Sequence, residues 1–133
     1  MIVVDTSALV AILRQEDEAD RLYAAIEYAD AAIASSMTIF AARVVAMRQF
    51  SAAFLDHLNH FLIASRIEQV PFDDEQGALA AQAYRRFGRG SGHPARLNLG
   101  DCASYALAMS LDAPLLYKGN DFSQTDVRSA LAT

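Results

Sequence analysis

Three aspartates carry the chemistry open to this chain. Asp5 follows the apolar run Ile2-Val3-Val4, Asp101 closes Asn98-Leu99-Gly100-Asp101, and Asp121 stands in Gly119-Asn120-Asp121-Phe122. Each falls where a buried strand should end or a helix begin, the rim on which open α/β sheets build their sites. Singly, each is an ordinary helix cap, first-turn acid or turn residue. Together, three carboxylates drawn to one edge from distant segments repel one another unless a cation lies among them. Oxygen donors of this kind suit a hard ion, Mg2+ or Mn2+, and no Cys/His set here has zinc spacing.

Other chemistries are poorly supported. His57 and His60 lie on the polar face of an expected helix without a third ligand and should be solvated. His93 sits in a glycine-rich turn, where a surface role is favoured over a phosphate contact. After the first strand, Asp5-Thr6-Ser7 stands where a dinucleotide-binding Gly-x-Gly-x-x-Gly would, and no Walker loop occurs. A phosphoaspartate phosphatase wants a second acid two residues after the first, and Ser7 is there instead. Ser7, Ser35 and Ser36 lack a His–Asp set for nucleophilic catalysis.

The elements that must position the aspartates are legible in outline. Residues 1–4 read as a short buried strand, after which Thr6 or Ser7 caps a helix through Leu13. A second helix is expected over 16–28, with Glu16, Asp17, Glu18 and Asp20 in its first turns, where carboxylates favour the helix dipole. Residues 31–34 form a weak strand candidate, and Ser35 or Ser36 caps a helix running to about Gln49. Phe54, Leu55, Leu58, Phe61 and Leu62 give an amphipathic helix over 51–65. A strand over 67–72 precedes Asp73, which opens a helix ending near Arg85, Arg86 and Gly88. Residues 88–94 form the one obvious flexible loop, followed by a helix over 100–111, a strand over 113–117 and a segment opened by Asp121. Strands alternating with helices predict an α/β fold: three layers, α/β/α, around a central parallel sheet, with the three aspartates at its carboxyl edge.

Composition agrees. A chain of 133 residues, 53% hydrophobic, is expected to be a single domain, 1–133, that buries roughly two thirds of its unfolded surface. One cysteine, Cys102, cannot form an internal disulfide, which suits a reducing cytoplasm. No apolar stretch approaches the ~18–20 residues of a membrane span, and no membrane partner is expected. The net charge of −5 opposes a generic phosphate-binding surface. Arg85, Arg86, Arg89 and Arg96, in a stretch without an acid, nevertheless make a basic lip compatible with RNA.

Three stretches resemble a known family. The opening Met-Ile-Val-Val-Asp-Thr-Ser-Ala-Leu-Val-Ala-Ile-Leu, the segment Leu97-Asn98-Leu99-Gly100-Asp101-Cys102 with Tyr105 and Ala106, and the ending from Pro114 through Lys118-Gly119-Asn120-Asp121-Phe122 to Asp126 are similar to PIN-domain ribonucleases, in particular the VapC toxins of bacterial toxin–antitoxin pairs. The resemblance runs the length of the chain. It implies a PIN-like fold and an endoribonuclease dependent on Mg2+ or Mn2+, neutralised by a cognate VapB-type antitoxin and often homodimeric. It further implies that Asp5 and Asp101 hold the metal, that Asp121 or its neighbour Asn120 supplies the late acid position, and that Thr6, Ser7 and Asn98 orient the carboxylates. The arginines at 85, 86, 89 and 96 would hold the RNA backbone, and Lys118 would either add a charge at the phosphate or be a solvated strand-end lysine.

One departure changes the expectation. The family pattern Thr-Leu-Leu-Glu-Ala-Arg aligns with Thr38-Ile39-Phe40-Ala41-Ala42-Arg43, so Ala41 occupies the place of a glutamate. Between Asp30 and Glu68 the only acid is Asp56, one helix further on, so no neighbour substitutes. A natural variant with a weakened site and a substitution made to silence a toxic product both account for the alanine. Two functions remain open: a catalytically impaired VapC-like ribonuclease, and a non-catalytic PIN module that binds RNA or an antitoxin. A metal phosphatase is a third.

Overall fold

Side-chain alternation along very short strands decides the architecture. The structure, a computed structural model, describes residues 1–131. Strands β1 (Ile2–Val4), β2 (Ala32–Ser35), β3 (Glu68–Val70) and β4 (Leu115–Leu116) form one sheet in the order β3-β2-β1-β4, with every pairing parallel. Successive side chains of a strand point to opposite faces. Ile2, Val4, Ala32, Ala34 and Leu116 therefore enter one core, and Val3, Ile33 and Leu115 the other.

Helices α1 (Thr6–Leu13), α2 (Ala19–Tyr28), α3 (Ser36–Val45) and α4 (Ala52–Ala64) fill the first core through Leu9, Leu22, Ile39, Leu58 and their neighbours. Helices α5 (Asp74–Phe87) and α6 (Leu99–Ser110) fill the second through Ala80, Ala83, Phe87, Tyr105 and Leu107. The chain steps outward from β1 to β2 to β3 with its helices on one face, then returns past β1 to β4 with its helices on the other. Right-handed crossovers require that change of face when the direction of travel reverses. The expected three-layer α/β/α fold with a central parallel sheet is the one observed. No described helix is long and apolar enough to cross a membrane.

Several boundaries differ from expectation for local reasons. Asp5, not Thr6 or Ser7, caps α1, its carboxylate accepting from the Ser7 N–H. Helix α2 begins at Ala19, so Glu16 and Asp17 lie in the preceding turn. Helix α3 stops at Val45 and passes into a π-helical turn, Ala46–Phe50, before Ser51 caps α4. Strand β3 is confined to three largely exposed residues at the sheet edge, and β4 to two. The loop after α5 is internally tied: Ser91 Oγ donates to the Gly88 carbonyl at 2.7 Å, and the Ala95 N–H donates to His93 Nδ1 at 3.0 Å. Gly88 is required at its start, since a Cβ there would lie 2.4 Å from the Tyr84 carbonyl oxygen.

Leu9 is fully buried and anchors α1 directly behind the Asp5 cap. Leu9→Ala should lower unfolding stability by about 2–5 kcal/mol, read from the denaturant midpoint at unchanged m-value.

Candidate active site

The switch point of the sheet, between β1 and β4, is where the chain reverses direction, and a crevice opens there at the carboxyl ends of the strands. Helices that follow or precede parallel strands antiparallel to them bring their N-termini to this edge. The starts of α1, α3 and α6 accordingly meet around an open groove of about 610 Å3, lined by Asp5, Thr6, Ser7, Met37, Phe40, Ala41, Asn98, Leu99, Gly100 and Asp101 among others.

Asp5 is almost completely buried, at 1% exposure. Its Oδ2 accepts from the Ser7 N–H at 3.0 Å and from Ser7 Oγ at 2.8 Å, and its Oδ1 accepts from Ser104 Oγ at 2.6 Å. Burial pushes its pKa above the ordinary carboxylate value, and the hydrogen bonds from Ser104, Ser7 and the Thr6 backbone oppose that rise. Asp101 sits in the first turn of α6 within a reciprocal capping box: Asn98 Oδ1 accepts from the Asp101 N–H at 2.8 Å, and Asp101 Oδ2 accepts from the Asn98 N–H at 3.0 Å. Its pKa is raised to about 6, first by burial and then by the negative charge of Asp5, with Asp121 adding to the rise and Arg89 opposing it.

Of the residues singled out in the sequence, Asp5, Asp101, Ala41, Thr6, Ser7 and Asn98 all line this groove. Asp121 is exposed on the turn after β4 and outside the groove lining, though its charge is felt at Asp101. No cluster of three His, Cys, Asp or Glu residues placed to hold an ion occurs among the described residues. The donor set is therefore two mutually repelling carboxylates with hydroxyl neighbours, which fits a hard divalent ion completing its shell with water and substrate oxygens. Ser7 and the Asn98 N–H donate to the carboxylates, whereas the Thr6 hydroxyl donates to the Thr38 carbonyl at 3.1 Å and meets Asp5 only through its backbone N–H. Ala41 faces α6 closely enough that a Cβ on Gly100 would lie 3.3 Å from its own.

Arg85, in the last turn of α5, and Arg89 and Arg96, beyond its end, are exposed. Arg86 stacks on the Phe87 ring at 4.5 Å and reaches Asp126 at 3.8 Å. The Lys118 ammonium is paired with Glu16, whose pKa falls chiefly through that hydrogen bond. Its backbone N–H donates to Ser7 Oγ at 3.0 Å, which ties the end of β4 to the site. His57 and His60 are exposed, and burial pushes the thiol of Cys102 up to about 12, so it is inert. Two residues of the site were not foreseen, Ser104 and Thr38: both are fully buried, and their hydroxyls are 2.7 Å apart. A serine three residues after Asp101 on the same helix was the available signal.

A fold with a parallel sheet and two carboxylates at its switch point defines a class that the comparisons name. A family model described as the PIN domain matches residues 2–128. Ribonuclease VapC28 of Mycobacterium tuberculosis is 43% identical over 129 residues, covering 97% of each chain. Ribonuclease VapC42 of the same species is 42% identical over 128 residues, covering 96% of this chain and 98% of that one. Among solved structures, Mycobacterium tuberculosis VapC20, described as a Sarcin-Ricin loop cleaving toxin, superposes with a TM-score of 0.75 at 17% identity, covering 96% of both chains. VapBC2 from Rickettsia felis, bound to a promoter DNA fragment, gives a TM-score of 0.66 at 18% identity over 97% of this chain and 96% of that one. The chain belongs to the PIN-domain family and, within it, to the VapC ribonucleases.

The shift at Asp101 has a consequence for stability. The folded carboxyl holds its proton up to about pH 6 while an unfolded one releases it near 3.8, so the folded chain binds more protons in that window. Metal-free stability should therefore fall as pH rises from 3.8 to about 6. Asp5, shifted in the same direction by burial, adds to the slope. Urea midpoints measured in chelator should decline across this interval, and Asp101→Asn, which keeps an acceptor for the Asn98 N–H, should flatten the decline.

Proposed function

We propose that this chain is a VapC-type toxin: an endoribonuclease dependent on Mg2+ or Mn2+, impaired by Ala41 and neutralised by a cognate VapB-type antitoxin. The observation that carries the reading is the convergence of Asp5 and Asp101 on one groove, each raised in pKa by burial, with Asp5's charge adding to the shift at Asp101. Asp5 and Asp101 would hold the ion, with Asp121 close enough to strengthen the local negative field. An ion held by these two carboxylates would supply positive charge for the phosphate oxygens and would lower the pKa of water.

The residues of the chain do the rest. Ser7 and Asn98 hold the two carboxylates in fixed orientations. Arg85, Arg86, Arg89 and Arg96 bind the RNA backbone as a sequence-independent lip, with Arg89 nearest in effect to Asp101. Lys118, paired with Glu16, serves the phosphate only if that pair opens. An antitoxin segment presenting Arg or Lys to the carboxylates would neutralise the site by charge and by occupation. A homodimer belongs to the same reading.

A specific observation favours a second reading, a PIN module that binds without cutting: the groove wall at position 41 is a methyl group where the family pattern places a carboxylate. One experiment separates the two. Ala41→Glu should raise Mg2+- or Mn2+-dependent cleavage of cellular RNA by about 10²–10⁴, the range for a general base, and Asp5→Asn added to it should abolish the gain. If Ala41→Glu stays inactive on RNA while the chain still binds an antitoxin, the binding module is correct. Hydrolysis of small phosphate esters in place of RNA would instead identify a phosphatase. On the RNA side, Arg89→Ala should weaken binding across sequences and lower the salt-dependence slope by about 1.

A further inference from the structure

The side of Asp5 away from Ser7 is held by Ser104, with Thr38 behind it. We propose that Thr38 and Ser104 form a one-way hydroxyl relay that positions the Asp5 carboxylate for its cation, an inference that rests on the metal-dependent reading of the same groove. Ser104 Oγ lies 2.6 Å from Asp5 Oδ1, and Thr38 Oγ1 lies 2.7 Å from Ser104 Oγ. Thr38 and Ser104 show 0% exposure and Asp5 1%, so water does not stand in for any member.

Proton count sets the direction. An ionised carboxylate only accepts, and a serine hydroxyl has a single proton to give. With Ser104 donating to Asp5, the contact between the two hydroxyls can be made only by Thr38 donating to Ser104. Each hydrogen bond polarises the next, so Thr38 makes Ser104 a better donor than it would be alone. The other oxygen is served in the same way: Ser7 Oγ donates to Oδ2 while accepting the Lys118 N–H. Oδ2 takes two hydrogen bonds from Ser7, and Oδ1 takes one, from Ser104. Ser104 is thus the side chain that orients Oδ1, as Ser7 orients Oδ2.

The relay also fixes the walls of the site. Ser104 is three residues beyond Asp101 on α6, and Thr38 is three residues before Ala41 on α3, spacings that place each pair on one helix face. A bond between the two hydroxyls holds both helices in register against Asp5. A merely structural role for the pair, satisfying two buried polar groups, would require none of this at the cation.

Mn2+ binding to the full chain, followed by titration calorimetry or by the loss of the free-ion electron paramagnetic resonance signal, separates the possibilities. Ser104→Ala should weaken the Mn2+ dissociation constant by about 10–100-fold, the range for partners that orient metal ligands. Thr38→Val should shift it the same way by less, Thr38→Ser should restore it, and Thr38→Val added to Ser104→Ala should cause no further loss. Circular dichroism establishes that each variant is folded, and if Ser104→Ala is not, the Thr38→Val and Thr38→Ser pair decides alone. Folded variants that bind Mn2+ as tightly as the unsubstituted chain, or losses that multiply in the double variant, overturn the relay and leave the metal reading intact. An unsubstituted chain that takes up no Mn2+ overturns both.

Discussion

Burial of one carboxylate governs this molecule. Asp5 is carried to the end of β1 by three apolar residues whose own burial is strongly favourable, and it arrives where water has been excluded. An ionised group in such a place is costly unless hydrogen-bonded on every side. The chain answers with donors from two elements: Ser7 and the Thr6 backbone on α1, and Ser104 on α6. Those donors are in turn held by the Lys118 backbone, just beyond β4, and by Thr38 on α3. The elements that meet at the switch point are thus bound to one another through the group that needs them, and site and fold edge are one structure.

Asp101 shows the complementary case. Its carboxylate is already committed to the capping box of α6, so its position depends on a local helix signal in the sequence and not on distant partners. Burial and the charge of Asp5 raise its pKa to about 6, a shift that a cation in the groove would oppose. One carboxylate is locked by neighbours and the other is poised by its environment, a division of roles that two aspartates of identical chemistry acquire from placement alone.

What the sequence could disclose follows from the same physics. Strand β1 and the helices were legible because periodicity reports burial. Strand β3 was placed within 67–72 but its bounds were not, since the edge residues Glu68-Gln69-Val70 have no alternation to read. The π-helical turn at Ala46–Phe50 was hidden because one extra residue barely disturbs helical spacing. Asp5 and Asp101 stood out as acids at element boundaries, while Ser104 and Thr38 did not, because a small hydroxyl inside an apolar helix looks like ordinary filling until its partner, 66 residues away, is known. The alanine at 41 is invisible to composition and spacing, and acquires meaning only against the resemblance and the groove it lines.

That alanine also bears on the balance of charge. A third carboxylate at position 41 would enter a groove where two already repel, raising the electrostatic cost of the metal-free fold and the gain on binding a cation. With a methyl group there, packing between α3 and α6 is close: a Cβ added to Gly100 would lie 3.3 Å from that of Ala41. The body carries a net charge of −5, so on the proposed function RNA would approach against the general field and be drawn in along the arginine lip. Reducing the acidity of the groove lowers that opposition at the point of contact while weakening the demand for the ion. On the proposed function, binding and cutting would thus respond in opposite senses to the same side chain, and position 41, not the better-buried Asp5, would be where a ribonuclease and a binding module of this fold part company.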